Sequence, residues 1–194
     1  MKRVGTLHLI VGCMYSGKTD ELLRHVRVCR LSGKRVVLLK YAKDTRYSNR
    51  HDLVSSHNGM QMDGAISVVN LLADPPMGNP ENVASIAMDE GQFLEGIEEF
   101  VARWTQKGVD VIVSGLWTDF KKKTWPRMVA LSEVATTITW LNAICILCKS
   151  QQAAFSKRIV PDVTQVQKNL MYFFIFLAVQ VATFSLTLVV ATRN

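Results

Sequence analysis

Residues 12–19 read Gly12-Cys13-Met14-Tyr15-Ser16-Gly17-Lys18-Thr19, with the spacing G-x-x-x-x-G-K-T, and they follow the short apolar run Leu7-His8-Leu9-Ile10-Val11. No other stretch constrains the fold as strongly. Two glycines let the backbone turn tightly enough to aim successive N–H groups, and the N-terminus of a following helix, at concentrated negative charge. Set between a strand and a helix, the pattern predicts a phosphate-binding loop. Lys18 is then placed to reach the terminal phosphates of a nucleotide such as ATP, and the Thr19 hydroxyl to meet the Mg2+ that bridges them.

The rest of the chain punctuates itself into alternating elements. After the loop, the spacing of Leu22, Leu23, Val26 and Leu31, with Asp20 and Glu21 in the first turn, predicts a helix ending near Ser32-Gly33. Arg35 to Lys40 reads as a second strand, Tyr41 to Asn58 as polar and turn-rich, and Met62 to Leu72 as holding a short helix before the breakers of residues 74–80. Val83 to Met88 is a third apolar run, closed by Asp89-Glu90. A helix over Ile97 to Gln106 shows Ile97, Phe100, Val101 and Trp104 on one face, and Val109 to Ser114 follows as a fourth strand. Strands alternating with helices predict an α/β fold with a mostly parallel sheet.

In such sheets ligands sit beyond the C-terminal ends of the strands, where Asp89 and Glu90 fall. Asp89 is placed to hold Mg2+, directly or through water. Glu90 is left to accept a proton from an attacking hydroxyl or to orient a water, which are the tasks of a kinase and of an ATPase respectively. The carboxylates alone do not choose between them.

Charge narrows the partners. A formal net charge of +7 suits acidic ligands such as nucleotides, but the one basic block, Lys121-Lys122-Lys123, reads as a solvated face and predicts no nucleic-acid partner. The opening residues lead straight into the loop with no secretory pattern, and four cysteines, Cys13, Cys29, Cys145 and Cys148, suit a reducing compartment. A cytoplasmic protein is expected. The C-terminal stretch Leu170 to Ala191 carries no charge and is long enough to span a bilayer, which takes about 20 apolar residues. A membrane-anchored protein facing the cytosol is therefore the alternative.

Three segments carry a more specific resemblance. GCMYSGKTDELLRHVR from Gly12, KYAKDTRYS from Lys40 to Ser48 and MDEGQF from Met88 to Phe93 resemble the type II, cytosolic-type thymidine kinases. The likeness runs over about residues 5–166 and extends to Gly115-Leu116-Trp117-Thr118-Asp119-Phe120, to Cys145-Ile146-Leu147-Cys148 and to residues 153–158. It implies a RecA-like P-loop NTPase core and transfer of the ATP γ-phosphate to the 5′-hydroxyl of thymidine or deoxyuridine. It implies Glu90 as general base, and Gly12 to Thr19, Asp44, Thr45, Arg46, Asp89, Gly91 and Gln92 as ATP- and phosphate-binding residues. Phe120 falls on the aromatic that contacts the base, with Met14, Phe93, Val163 and Val166 as substrate neighbours. A homotetramer is the implied assembly.

Departures from the family pattern are equally informative. Cys13 stands where the family commonly has proline, a change tolerable in a loop that binds through its backbone, and a helix N-terminus there would favour a low-pKa thiolate. Cys145 and Cys148 resemble the first half of the family's structural Zn2+ site, yet tetrahedral zinc takes four ligands and no second C-x-x-C follows. After Val166 the family continues into a glycine-containing lasso over the base, where this chain enters its apolar tail.

The expected organisation is a P-loop kinase domain over 1–142, a partial zinc-ribbon and lasso region over 143–168, and an apolar tail over 169–194. Two accounts fit the tail: a membrane-tethered variant, or a translated intron or frameshift, which is the account preferred. The leading expectation is a thymidine kinase homologue that binds ATP but phosphorylates thymidine poorly. The rivals are a membrane-tethered nucleotide-binding ATPase and a non-catalytic regulatory subunit.

Overall fold

The computed structural model describes residues 3–44, 50–73, 75–77 and 82–157, together with the backbone of 177–178. Its centre is a six-stranded sheet in which every neighbouring pair is parallel. The strands are β1 (Leu7–Gly12), β2 (Val36–Tyr41), β5 (Ala65–Val68), β6 (Ser85–Met88), β7 (Asp110–Leu116) and β8 (Thr137–Leu141), in the spatial order β5-β2-β6-β7-β1-β8. Between them run three helices, α1 (Lys18–Leu31), α2 (Ile97–Gln106) and α3 (Pro126–Val134).

Both faces of the sheet are covered, which is why its central strands read as unbroken apolar runs. On one face Leu9, Val11, Leu39, Ile86, Met88, Val111 and Val113 pack with Phe100, Val101 and Trp104 of α2 and with Met128 and Leu131 of α3. On the other, Ile10, Leu38, Ala87 and Ile112 meet Leu22, Leu23 and Val26 of α1. The spacing that predicts α2 is thus the face it buries, and α2 begins and ends where that spacing places it.

One prediction is overturned. Met62 to Leu72 is no helix: it holds β4 (Gln61–Asp63), β5 and a single 3-10 turn at Leu71–Ala73. Ala65-Ile66-Ser67-Val68 extends the sheet edge beside β2, with Leu38 opposite Ala65 and Tyr41 opposite Val68. That pairing satisfies backbone groups which a one-turn helix would leave open at both ends. The polar segment before it also carries a strand, β3 (Leu53–Ser55), paired antiparallel with β4 as a hairpin. The pattern reading did not reach α3 or β8.

Beyond β8 the chain makes the small hairpin β9 (Ala143–Ile144) and β10 (Gln152–Ala153), then β11 (Ser156–Lys157). Of the apolar tail only Leu177–Ala178 are described, as a strand β12 antiparallel to β11. The spanning helix read from residues 170–191 otherwise lies outside the described residues, among which no helix is long and apolar enough to cross a membrane.

Candidate active site

The strand order puts β7 between β1, which delivers the glycine loop, and β6, which delivers Asp89 and Glu90. All three strands point the same way, so their C-terminal ends open together. At the first of these ends the glycines answer two different demands. A Cβ on Gly12 would lie 2.3 Å from the Leu141 carbonyl oxygen and 2.5 Å from Ser16 Oγ, so only hydrogen fits. Gly17 has φ +81°, a left-handed conformation that glycine adopts at no steric cost, and it forms the N-terminal boundary of α1.

Lys18 Nζ donates to the Cys13 carbonyl at 2.6 Å, which folds the lysine back along the loop. The Thr19 hydroxyl donates to the Asp89 carboxylate, 3.1 Å from Oδ2 and 3.3 Å from Oδ1. Asp89 also accepts a hydrogen bond from the Ser114 hydroxyl, which reaches across from the neighbouring strand β7. Asp89 and Ser114 are both buried. The loop hydroxyl and the strand-end carboxylate therefore form a compact set of hard oxygen donors, the chemistry that Mg2+ selects.

Glu90 is buried and held at φ 56°, a conformation uncommon outside glycine, asparagine and aspartate. The cause is local: the chain leaves β6 and turns at once into the 3-10 turn Gly91–Phe93. Gln92 fixes the side chain, its Nε2 donating to Glu90 Oε2 at 2.5 Å while its Oε1 accepts from the Leu116 N–H at 2.9 Å. One amide thereby ties the end of β6 to the end of β7. Gly91 is buried with its hydrogen against Val113, so its place in the motif answers to packing.

Two adjoining pockets share Glu90. One is lined by Met14, Tyr15, Gly17, Lys18, Thr19 and Asp20 of the loop and helix, by Ser56, His57 and Asn58 of the β3–β4 hairpin, and by Leu116. The other is lined by Asp44 and Asp89 together with Lys40, Tyr41 and residues 53–55. Lys40 is buried and donates to the carbonyls of Leu53 at 2.9 Å and Arg50 at 3.3 Å. The structure thus gathers Met14, the glycine loop, Asp44 and Asp89 around two pockets that meet at Glu90. Thr45, Arg46, Val163 and Val166 lie outside the described residues.

Phe93 and Phe120 line neither of these two pockets. Phe93 sits between Tyr41 and Trp125, with ring centroids 5.2 Å and 5.3 Å away. Phe120 is at the tip of a turn in which the buried Asp119 carboxylate accepts the N–H groups of Lys121 and Lys123 at 2.8 Å and 2.9 Å. Three residues around this site carry no motif signal of their own: Ser114, which bonds Asp89, and His57 and Asn58 in the pocket wall. Ser114 was legible only as the end of a strand, and His57-Asn58 only as turn formers.

The cysteines depart from expectation. Cys13 does not carry a low-pKa thiol: burial pushes it up, against the lowering effects of nearby backbone and of Lys18. Its Sγ donates to the Ala153 carbonyl at 3.1 Å, and it packs with Ala143, Cys145 and Ala153 in a small cluster of its own. Its side chain is therefore shared between the loop and the β9–β10 hairpin. Cys145 is buried and Cys148 exposed. Hydrogen bonding from Ser150, together with backbone N–H groups and Cys145, brings the Cys148 thiol down to about 7. Among the described residues no group of three or more histidine, cysteine, aspartate or glutamate side chains is placed to hold a metal ion. Within this chain no cysteine or histidine follows Cys148. Two thiols do not fit a structural zinc.

Comparison with known proteins agrees with this geometry. The thymidine kinase family matches residues 5–170. The cytosolic thymidine kinase of Bos taurus is 36% identical over 158 residues, which cover 81% of this chain and 63% of the bovine protein. A thymidine kinase of Fowlpox virus is 36% identical over 160 residues, covering 81% of this chain and 86% of its own. One from Roseiflexus is 34% identical, covering 80% of each. On this match, spanning the glycine loop, the paired carboxylates and the cysteine hairpin, the chain belongs to the thymidine kinase family.

Proposed function

We propose that this protein transfers the γ-phosphate of ATP to the 5′-hydroxyl of thymidine or deoxyuridine. The observation that carries the reading is the pair of adjoining pockets that share Glu90, one lined by Lys18 and Thr19 and the other by Asp89, with Thr19 hydrogen-bonded to Asp89. The inserted strand β7 between the loop strand and the carboxylate strand suits a RecA-like core. Thr19 and Asp89 are the residues that would hold Mg2+, which neutralises charge on the phosphates when bound.

The backbone of Gly12 to Thr19 and the Lys18 ammonium hold the polyphosphate, with Asp44, Thr45 and Arg46 beside it, while the buried Gln92, expected there from the resemblance, acts through Glu90. Glu90 accepts the proton of the 5′-hydroxyl as its oxygen bonds to the γ-phosphorus; the bond from phosphorus to the β–γ bridging oxygen breaks and ADP leaves. Gln92 keeps the Glu90 carboxylate aimed while this happens. Phe120 offers a flat face to the base, with Met14, Phe93, Val163 and Val166 as its neighbours.

Residues 1–142 form the kinase domain in this proposal, 143–168 a zinc-ribbon remnant, and 169–194 a tail outside the chemistry. Homotetramer assembly and a cytoplasmic location accompany it. A membrane-tethered ATPase draws no support from relatives named thymidine kinase. The glycine-containing lasso that the family places over the base has no counterpart after Val166 in this sequence, so turnover with thymidine is expected to be low. Purified protein supplied with Mg2+, labelled ATP and thymidine should form labelled thymidine monophosphate above background hydrolysis. Hydrolysis with no nucleoside product would refute the proposal.

A further inference from the structure

The tip of the β3–β4 hairpin belongs to no motif, yet Ser56, His57 and Asn58 line the same pocket as Lys18, Thr19 and Glu90. We propose that this tip closes the nucleotide pocket and that His57 is a phosphate-contacting residue, donating a hydrogen bond to the polyphosphate that the glycine loop holds.

The tip is built to stay there. Gly59, at φ +82°, closes a tight turn in which the Ser56 N–H donates to the Met60 carbonyl at 2.8 Å and the Gly59 N–H to the Ser56 carbonyl at 3.1 Å. Asn58 Nδ2 donates to Asp20 Oδ2 at 2.5 Å, tying the turn to the first turn of α1 immediately after the loop. The rings of Tyr15 and His57 meet edge to face with centroids 4.5 Å apart. Tyr15 has φ 60°, a conformation a bulky residue takes up only when its surroundings impose it. At the other end of the hairpin, buried Lys40 holds the carbonyls of Arg50 and Leu53. A segment of chain far from the loop in sequence is thus clasped to it at Tyr15 and at Asp20.

An imidazole always has at least one N–H to donate, which is what a phosphate oxygen needs. His57 shares its pocket with Gly17, Lys18, Thr19 and Glu90, which belong to the phosphoryl end of the nucleotide on the proposed function, and with Met14, Tyr15, Asp20 and Leu116; the inference rests on that reading. Asn58 acts through the clasp and is a positioning residue.

Calorimetric titration of the full chain with Mg·ATP, and separately with magnesium tripolyphosphate, tests this in His57→Ala, His57→Gln, Asn58→Ala and Lys18→Ala proteins. His57→Ala is expected to weaken both ligands about tenfold, the effect of losing one hydrogen bond to a charged group. His57→Gln should recover part of that through its amide N–H, and Asn58→Ala should weaken both ligands by a smaller factor. Should His57→Ala fail to fold, His57→Gln carries the same comparison, because an orienting role alone would leave its tripolyphosphate affinity at the wild-type value. Wild-type affinity in both His57 variants, with Lys18→Ala impaired, overturns the inference and leaves the donor site standing. Weakened ATP with unchanged tripolyphosphate also overturns it, since His57 would then act on the nucleoside. Wild-type affinity in Lys18→Ala removes the donor site itself.

Discussion

The glycine-loop end of the sheet and the Cys145–Cys148 hairpin lie side by side, in contact through Cys13, but they are held together by different means. Around Asp89 and Glu90 polar groups are paired between two strand ends and a helix: Thr19 of α1 and Ser114 of β7 donate to Asp89, and Gln92 donates to Glu90 while accepting from Leu116. The hairpin has two-residue strands, and Ile144, Ile146 and Leu147 on it are exposed at 71%, 49% and 65%. The contrast teaches that strand ends in a covered parallel sheet hold a reacting group without outside help. A short hairpin depends on whatever else binds it.

Replacing Glu90 with Gln should break the comparison most sharply. The amide keeps an oxygen for the Gln92 hydrogen bond, so melting and ATP affinity are expected to stay near wild type. Turnover should fall about 10²- to 10⁴-fold, the usual contribution of a positioned general base. Equal turnover in the variant would show that the buried end of β6 is structural.

Ser114→Ala probes the same pairing at smaller cost. Asp89 would lose one donor in a buried setting, worth about 1–3 kcal/mol. A lower urea midpoint and a higher Mg2+ requirement for turnover are expected together; an unchanged midpoint would mean that Thr19 alone suffices. The smallest effect belongs to the hairpin. Adding Zn2+, or a zinc chelator, should leave the melting temperature unchanged because two thiols cannot close a tetrahedral site. A chelator-induced drop would show that further ligands complete it.

Much of the donor side is legible in the sequence. The loop spacing, the carboxylate pair after an apolar run and the amphipathic spacing of Ile97 to Gln106 are local signals, and each leads to the right element. The failure at Met62 to Leu72 is instructive because its apolar residues suit either periodicity in so short a run. Pairing of Ala65–Val68 with β2 settles the matter, and no neighbouring residue announces that partner.

The lone C-x-x-C can likewise be seen, but not that Cys13 packs beside Cys145 and Ala153. The expectation of a reactive Cys13 weighs the helix N-terminus and leaves out the burial that outweighs it.

By itself, then, the sequence determined which residues could handle phosphate and which carboxylates could meet it, because glycine spacing, helix starts and strand ends are written over a few consecutive positions. Tertiary structure alone decided that β7 would lie between those two strands and bring Ser114 to Asp89, that Asn58 would reach Asp20, and that Cys13 would face Ala153. Those contacts join residues 25, 38 and 140 positions apart. They follow from strand order and core packing, which emerge only when the whole sheet is assembled.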